Sequence, residues 1–533
     1  MTEIAAETAP SSGSPPATTP TTAPAPMHGA ALIMGSVAVS LATFMNVLDA
    51  SIANVSIPTI AGDLGVSPSQ GTWVITSFAV SNAISIPLTG WLSQRFGQVR
   101  LFLTSVILFV VASLLCGMAP SIELLIIFRV VQGAVAGPMV PMSQSLLLSS
   151  FPKAKAGTAL SIWSMTTLVA PILGPILGGW ISDNYSWPWI FFINVPLGLA
   201  AAYACWLLYR ERETATRKLP VDTIGLSLLV IWVGSLQIML DKGRELDWFN
   251  SGLILTLGIV SIVGFTFFLI WELTDEHPVV DLSLFKLRNF TGSVTAVAFG
   301  YGTFFGNVVI LPLWLQTQMG YTATEAGLTT APVGVFAVIL APFVGRNLHR
   351  VDARWVATGG FAIFGVVMLM RSHFTTGIDN WTLLIPAYLQ GIGMAIFFTP
   401  LTMILLSGLK PERIPAASGL ANFTRVLFGG FGSSIATTAW DSRSSLHHAR
   451  LMESASVHNP QFTQSIDHIE TLGANPDQAH ALFERMLTGQ AQILGADDIF
   501  WVSSWIFVVM VGFIWTTKPF HGAHAPVDAG GAH

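Results

Sequence analysis

The sequence has few charged residues: Asp, Glu, Lys and Arg make up 10% of its 533 positions, where a soluble domain usually carries about 25%. Several globular domains of this total length would need far more polar surface, so the composition excludes a soluble multidomain protein. The net charge of −5 is small, which argues against nucleic acid as a partner. Cys116 and Cys205 lie far apart in apolar segments and form neither a disulfide framework nor a metal motif.

Motifs of ATP binding and of membrane enzymes are missing as well. There is no Gly-x-x-x-x-Gly-Lys-Ser/Thr loop to hold a nucleotide phosphate. His447-His448 is the only adjacent His pair, and no further ligand stands at a useful spacing. An enzyme would need paired acids, a His cluster or a metal site, so the sequence disfavours one. Residues 1–30 are rich in Pro, Thr, Ala and Ser, which predicts a disordered cytoplasmic tail.

Long apolar segments dominate the rest of the chain. About 20 apolar residues are needed to cross ~30 Å of hydrocarbon, and fourteen segments approach that length. We therefore predict an all-α polytopic membrane protein with fourteen transmembrane helices, numbered as spans 1 to 14. The predicted spans are 31–58, 71–93, 101–119, 121–149, 157–181, 189–209, 222–240, 251–272, 290–317, 325–345, 355–370, 381–407, 414–440 and 496–517.

The distribution of Lys and Arg between the loops predicts the orientation. Sixteen of these residues fall on one side of the predicted membrane, six on the other, and two lie within spans. Cytoplasmic loops carry the excess of Lys and Arg. Both termini are therefore predicted to be cytoplasmic, including the tail 518–533.

An internal repeat divides the spans into two sets. At an offset of 258 residues, Gln132-Gly133 recurs as Gln390-Gly391, and Asp49 aligns with Asn307. The offset predicts a six-helix half at 31–209, two inserted helices at 222–272 and a second half at 290–517 with an external loop at 441–494. Parallel six-helix halves around a central site are a transporter architecture. Chance similarity between apolar helices is the alternative.

Three charged residues stand deep within predicted spans: Asp49, Arg129 and Arg425. A charge at the middle of a bilayer costs roughly 2.5–3.5 kcal/mol on insertion scales, so such residues usually face a cavity or each other. Arg129 shares a polar helical face with Gln132. Asp49 is the candidate proton carrier, with Arg129 as its coupling partner. A permanent Asp49–Arg129 ion pair, or an Arg129 that binds only backbone carbonyls, stays open.

Polar residues on matching faces of both halves predict a substrate cavity. With two buried cations and one acid, this interior favours hydrophobic weak acids or amphipathic anions. The predicted lining consists of Asn46, Gln132, Asn307, Gln390, Asn422 and Arg425.

Glycine and proline mark two further segments. In span 5, Gly174, Pro175, Gly178 and Gly179 permit close helix packing and a bend, as a hinge between halves would need. After span 2, a turn carries Gly90, Arg95, Gly97 and Arg100, predicted as a cytoplasmic gating loop.

Taken together, these motifs resemble the major facilitator superfamily, in its fourteen-span drug:proton antiporter branch. The matching stretches are Leu48–Pro58 in span 1, Gly90–Arg100, Phe128–Gly133 in span 4 and Ala170–Gly179 in span 5, within a resemblance over residues 31–520. One position departs: Gln94 stands where the family usually has Asp.

The resemblance implies proton-coupled export of hydrophobic or amphipathic drugs across a bacterial inner membrane, without a bound cofactor. The chain is especially similar to the inner-membrane pumps of tripartite multidrug efflux systems. By that resemblance, a periplasmic membrane-fusion adaptor and an outer-membrane channel would be partners, and loop 441–494 could touch the adaptor or remain solvated. The alternative is a proton-coupled importer, or an exporter of one specific metabolite.

Overall fold

The computed structural model describes residues 25–217, 220–276, 278–321, 323–375, 377–454 and 460–519. The described residues fold into helices joined by short connections, without strands. Thirteen described helical segments are long and apolar enough to cross a membrane. Helices suit this environment because they satisfy every backbone polar group within the segment. The predicted tail at 1–30 lies outside the described residues up to residue 24.

The helices agree with the predicted spans in number and order. Spans 2, 4, 6 and 10 each consist of two consecutive helices. The bounds are Gly29–Asp63, Trp73–Ser85 with Thr89–Phe96, Gln98–Gly117, Ile122–Ala136 with Met139–Ser150, Ala156–Asn184, Trp189–Phe192 with Asn194–Tyr209, Thr223–Lys242, Gly252–Thr274, Arg288–Gln318, Ala323–Thr330 with Pro332–Asn347, Ala353–Arg371, Asn380–Leu406, Ile414–Ser454 and Pro476–Trp515. Span 13, Ile414–Ser454, is the one predicted span that is not among the thirteen apolar segments. It is less apolar because it contains Ser, Gly, Asn and Arg residues.

Equivalent spans pack on equivalent neighbours in the two sets of six. Span 1 packs on span 5, span 2 on span 4 and span 3 on span 6; correspondingly, span 9 packs on span 13, span 10 on span 12 and span 11 on span 14. Each set has an apolar core of its own, around Phe102 and Phe109 in the first and around Phe364 and Phe507 in the second. This arrangement has the parallel pairing that the repeat predicts.

Close backbone contacts join the two sets at one end of the bundle, which we call the basic face because its loops carry Arg95, Arg100, Arg350 and Arg354. A Cβ added to Gly157 of span 5 would lie 2.5 Å from the carbonyl oxygen of Gly345 in span 10. A Cβ added to Gly90 of span 2 would lie 2.6 Å from the Cβ of Ala416 in span 13. With a three-residue slip from the offset of 258, Gly90 matches Gly345, so the contacts of span 2 with span 13 and of span 10 with span 5 are equivalent. The basic face is therefore closed.

The inserted span 7 separates spans 2 and 13 toward the opposite face. Span 13 packs on residues 86–96 of span 2 but hardly on Trp73–Ser85, where span 7 packs instead. On the first half, Lys242 Nζ donates to Thr72 Oγ1 at 2.7 Å. On the second half, Ser434 Oγ donates to the Leu240 carbonyl at 2.9 Å, and Arg244 pairs with Asp441 at 2.8 Å. Span 7 thus lies as a wedge in the seam between the halves.

The segment predicted as an external loop with possible amphipathic helical stretches, 441–494, is mostly helical. Span 13 continues to Ser454, a separate helix covers Pro460–Thr471, and span 14 begins at Pro476 behind an Asn475–Gln478 capping box. The helical extensions pair with each other, because His447 and His448 contact Asp498 and Glu484 at 2.8 Å each. The sequence is polar here, and hydropathy alone does not distinguish a polar helix from a loop.

Candidate functional site

Asp49 and Arg129 form a fully buried ion pair in the first half. Span 1 supplies Asp49 and span 4 supplies Arg129, and Arg129 Nη1 lies 2.5 Å from Asp49 Oδ2. Both side chains are 0% exposed. The second carboxylate oxygen, Asp49 Oδ1, accepts from Gln132 Nε2 at 3.0 Å and from Asn194 Nδ2 at 2.8 Å. Three spans therefore converge on a single carboxylate.

Arg129 has partners that do not depend on Asp49. Its Nε donates to the Val74 carbonyl at 3.0 Å, and its Nη1 also donates to Gln132 Oε1 at 2.8 Å. The guanidinium lies 4.2 Å from the centre of the Phe78 ring, a cation–π contact. Its Nη2 is buried without a hydrogen-bond partner. The cation can thus keep part of its solvation when the carboxylate takes up a proton.

Asn194 was missed by sequence reasoning, although it completes the network. It begins the long helix of span 6, and its Nδ2 also donates to Ser113 Oγ of span 3 at 3.0 Å. Ser113 Oγ in turn donates to the Phe191 carbonyl at 2.9 Å. A single amide near the end of an apolar segment costs much less free energy to bury than a charge does. The sequence therefore gives little reason to single it out. Its position just after the aromatic stretch 187–192 is the available signal.

Two residues predicted for the substrate cavity make contacts between spans 1 and 4. Gln132 is fully buried between Asp49 and Arg129. Asn46 Nδ2 donates to the Ala136 carbonyl at 3.1 Å, which ties span 1 to span 4. Both residues therefore hold span 1 against the polar face of span 4, and their role in the cavity stays a prediction.

The second half has a related arrangement in which Asn307 takes the place of the acid. Asn307, the repeat partner of Asp49, donates to Ser503 Oγ of span 14 at 2.9 Å. Gln390, the repeat partner of Gln132, accepts from Arg371 Nη2 at 2.7 Å. Span 14 therefore supplies the partner here, as span 6 does in the first half.

Arg371 is a further buried charge, besides the Asp49, Arg129 and Arg425 that the sequence singles out. It ends span 11 and was assigned to the exterior, yet it is only 2% exposed. Its Nε has no hydrogen-bond partner, and no described carboxylate forms an ion pair with it. An Arg at a span end can point outward or back into the bundle, and sequence position does not decide between them.

Arg425 lies where the two halves meet. Its guanidinium is 5.0 Å from the Tyr301 ring, 5.6 Å from Trp163 and 5.9 Å from Phe398. Trp163 belongs to span 5 of the first half, whereas the other two rings belong to spans 9 and 12. The side chain is 9% exposed, its Nη1 has no hydrogen-bond partner, and no described carboxylate pairs with it. Its neighbour Asn422 donates to the Ser418 carbonyl within its own helix.

The glycines of span 5 bring it against span 1. Gly174 lies against Ser51, which donates to the Pro171 carbonyl at 3.1 Å, and a Cβ at Gly178 would lie 2.8 Å from the Ile52 carbonyl. Gly179 continues the same helix, and the side chain of Pro175 lies outside the described residues. The predicted close packing is present beside Asp49; a hinge role stays a prediction.

The loop after span 2 makes its turn at Gly97, whose φ of +90° favours glycine. Arg95 lies 5.3 Å from the Trp91 ring. Glu213, which follows span 6, accepts from the backbone N–H groups of Val99 and Arg100 at 3.1 and 2.8 Å. A carboxylate thus caps the first turn of span 3, although Gln94 replaces the family's usual acid.

Comparisons with known proteins agree with this architecture. The family model described as Major Facilitator Superfamily matches residues 39–433. The multidrug export protein EmrB of Escherichia coli (strain K12) is 53% identical over 509 residues, covering 95% of this chain and 99% of EmrB. The fatty acid resistance protein FarB of Neisseria gonorrhoeae is 46% identical with the same coverage.

Solved structures share the fold at low sequence identity. The human organic anion transporter MFSD10 superposes with a TM-score of 0.57 at 12% identity, over 91% of this chain and 99% of that one. The proton:xylose symporter XylE gives 0.57 at 14% identity, over 92% and 97%.

Proposed function

This chain belongs to the major facilitator superfamily, and from that premise we propose that it exports hydrophobic or amphipathic compounds in exchange for protons. It is a multi-pass membrane transporter and not an enzyme. The proton gradient would supply the work, since each charge crossing 100 mV gains about 2.3 kcal/mol.

The observation that supports proton coupling is the Asp49–Arg129 pair. Burial disfavours the charged form of a carboxylate, whereas a nearby guanidinium and two amide donors favour it. A carboxylate balanced between these effects can take up a proton when the spans around it shift. Arg129 keeps its bonds to Val74 and Gln132 in either case, so it can hold its place during proton transfer.

Transport in inverted membrane vesicles tests the proposal. A fluorescent amphipathic substrate should accumulate in the lumen when the lumen is acidified, and a protonophore should collapse it. ATP alone should drive no accumulation once the respiratory and ATPase routes to a gradient are blocked. Accumulation that persists without a proton gradient would contradict proton coupling.

The substrate site is proposed at Arg425, where an unpaired guanidinium meets three aromatic rings. The rings suit a flat apolar body and the cation suits a carboxylate, so amphipathic anions fit it best. Relatives named for multidrug export and for fatty acid resistance support that range. Asn307, Gln390 and Asn422 stay candidates for the cavity lining.

We expect Arg425→Ala to weaken binding of a carboxylate substrate about tenfold, because a charge-assisted hydrogen bond contributes roughly 1.5–3 kcal/mol. Binding to purified protein measures the effect. The methyl ester of the same compound is the control, and its affinity should change little. Equal losses for acid and ester would assign Arg425 a packing role only.

We further propose that the basic face is cytoplasmic, with both termini inside, in the inner membrane of a bacterium. The helical extensions at 441–454 and 476–494, with Pro460–Thr471, would then project into the periplasm. A membrane-fusion adaptor linked to an outer-membrane channel could dock there. Cross-linking from single cysteines on Pro460–Thr471 in whole cells tests the adaptor contact.

An importer of the same fold is the competing function. It would fill right-side-out vesicles on external acidification and would not fill inverted ones. The two vesicle orientations therefore separate export from import without knowledge of the natural substrate.

A further inference from the structure

Asn194 differs from the other amide that contacts Asp49. Its Nδ2 donates both to Asp49 Oδ1 and to Ser113 Oγ, whereas its own Oδ1 is buried without a hydrogen-bond partner. The residue is 0% exposed. A buried amide oxygen without a donor is unfavourable and uncommon in folded proteins.

Gln132, in contrast, has both ends of its amide engaged. Its Nε2 donates to Asp49, and its Oε1 accepts from Arg129 Nη1 at 2.8 Å and from Cys116 Sγ at 3.4 Å. Turning this amide over would set Nε2 against the guanidinium. Gln132 is therefore fixed, and of the two amides only Asn194 has an acceptor to spare.

We propose that Asn194 is a positioning residue that follows the protonation of Asp49 by turning its side-chain amide. With the carboxylate, Nδ2–H donates to Asp49 Oδ1. When a proton bonds to Asp49 Oδ1, that N–H donor no longer fits, and the amide turns half a revolution about Cβ–Cγ. Asn194 Oδ1 then accepts from the new Asp49 O–H. No electrons move. The two N–H···O bonds of Asn194 Nδ2, to Asp49 and to Ser113, are exchanged for two O–H···O bonds to Asn194 Oδ1, one from Asp49 and one from Ser113, and the Phe191 carbonyl gives up its donor.

The surroundings permit this exchange. The Ser113 hydroxyl is a donor and an acceptor, so it can turn from the Phe191 carbonyl to donate to Asn194 Oδ1. The charged or titratable groups that face Asp49 in the described residues are Arg129 of span 4 and the Cys116 thiol of span 3. Neither bonds to Asn194, so its turning leaves the contact between Arg129 Nη1 and Asp49 Oδ2 in place.

The inference rests on Asp49 as the proton carrier and predicts a shifted pH profile for Asn194→Leu. Leucine keeps the volume and removes both hydrogen bonds. Ionised Asp49 loses a charge-assisted hydrogen bond, whereas protonated Asp49 loses only a neutral one. The substitution therefore stabilises protonated Asp49 relative to ionised Asp49. We expect the midpoint of the transport–pH profile to rise by about one pH unit.

Ser503→Ala is the matched control. It removes the span 14 partner of Asn307, the counterpart of this contact in the second half, and its midpoint should stay at the wild-type value. A wild-type midpoint in Asn194→Leu would overturn the proposal. If Asp49→Asn still shows proton-driven transport, the proposed function itself fails, which is a separate result.

Infrared difference spectroscopy provides a second measurement that does not depend on transport. Between alkaline and acid pH, protein with ¹³C-labelled asparagine side chains should show a carboxyl band together with a shifted asparagine amide band. Both bands should be absent in Asp49→Asn, which cannot take up the proton. A carboxyl band without any asparagine change would also overturn the proposal.

Discussion

Asp49→Asn should abolish substrate accumulation in acid-loaded inverted vesicles, down to the level of vesicles without the protein. Asparagine retains hydrogen-bonding capacity toward Gln132, but it has no carboxylate to take up a proton. The variant should still bind substrate, because Arg425 lies in a separate contact with Trp163 and Tyr301. Substrate binding to purified protein beside vesicle transport separates the two effects.

Stability must be distinguished from coupling in this experiment. Removing one partner of a buried ion pair typically costs about 3–5 kcal/mol, because the other charge is left uncompensated. We therefore expect Asp49→Asn and Arg129→Met each to lower the thermal unfolding temperature. The double variant has no buried charge at this site and should recover much of that loss, yet remain without proton-driven transport. Proton-driven transport by the double variant would refute coupling through this pair.

Gly345→Ala should have the second large effect, because it acts on the closed basic face. Its Cβ would overlap Ser161 Oγ and the Gly157 carbonyl, and the carbonyl is backbone that cannot move aside. Overpacking of this kind typically costs about 1–3 kcal/mol, which shifts a two-state equilibrium roughly five- to 150-fold against the closed state. Transport should fall because the cycle passes through closure of this face.

The label for this test is a cysteine introduced at Leu160, which is 1% exposed beside the contact. It should react slowly with a polar maleimide in the otherwise wild-type protein and much faster with Gly345→Ala. Gly327→Ala is the control in the same span, because a Cβ there meets nothing within 4 Å. Equal labelling in all three proteins would show that the glycine contact does not limit closure.

The functional charges could be located from the sequence because placing a charge within a bilayer costs much free energy. Asp49 and Arg129 stood out against apolar neighbours, and the structure places them in contact. Asn194 and Arg371 could not be predicted in this way. Burying an amide costs little free energy, and an Arg side chain at a span end can point either to solvent or into the bundle. Glu213 was out of reach for another reason: it is 113 residues from Arg100 along the chain, and only the folded spans bring them together.

The helical bounds follow the same logic. Within the bilayer, hydropathy limits both the length and the position of a helix, so fourteen spans could be predicted in order. Beyond it, segment 441–494 is polar. Its amphipathic stretch at 478–494 could be predicted as helical, whereas pairs such as His448–Glu484 are visible only in the folded chain.

The wedge position of span 7 makes the two sides of this transporter unequal toward lipid. The seam between spans 2 and 13 is covered toward the opposite face by an inserted helix, whereas the corresponding seam between spans 5 and 10 has no inserted helix beside it in the described residues. A compound dissolved in the bilayer therefore meets one shielded flank and one unshielded flank. The unshielded flank is formed by spans 5 and 10, and span 5 also carries Trp163, whose ring lies 5.6 Å from the guanidinium of Arg425.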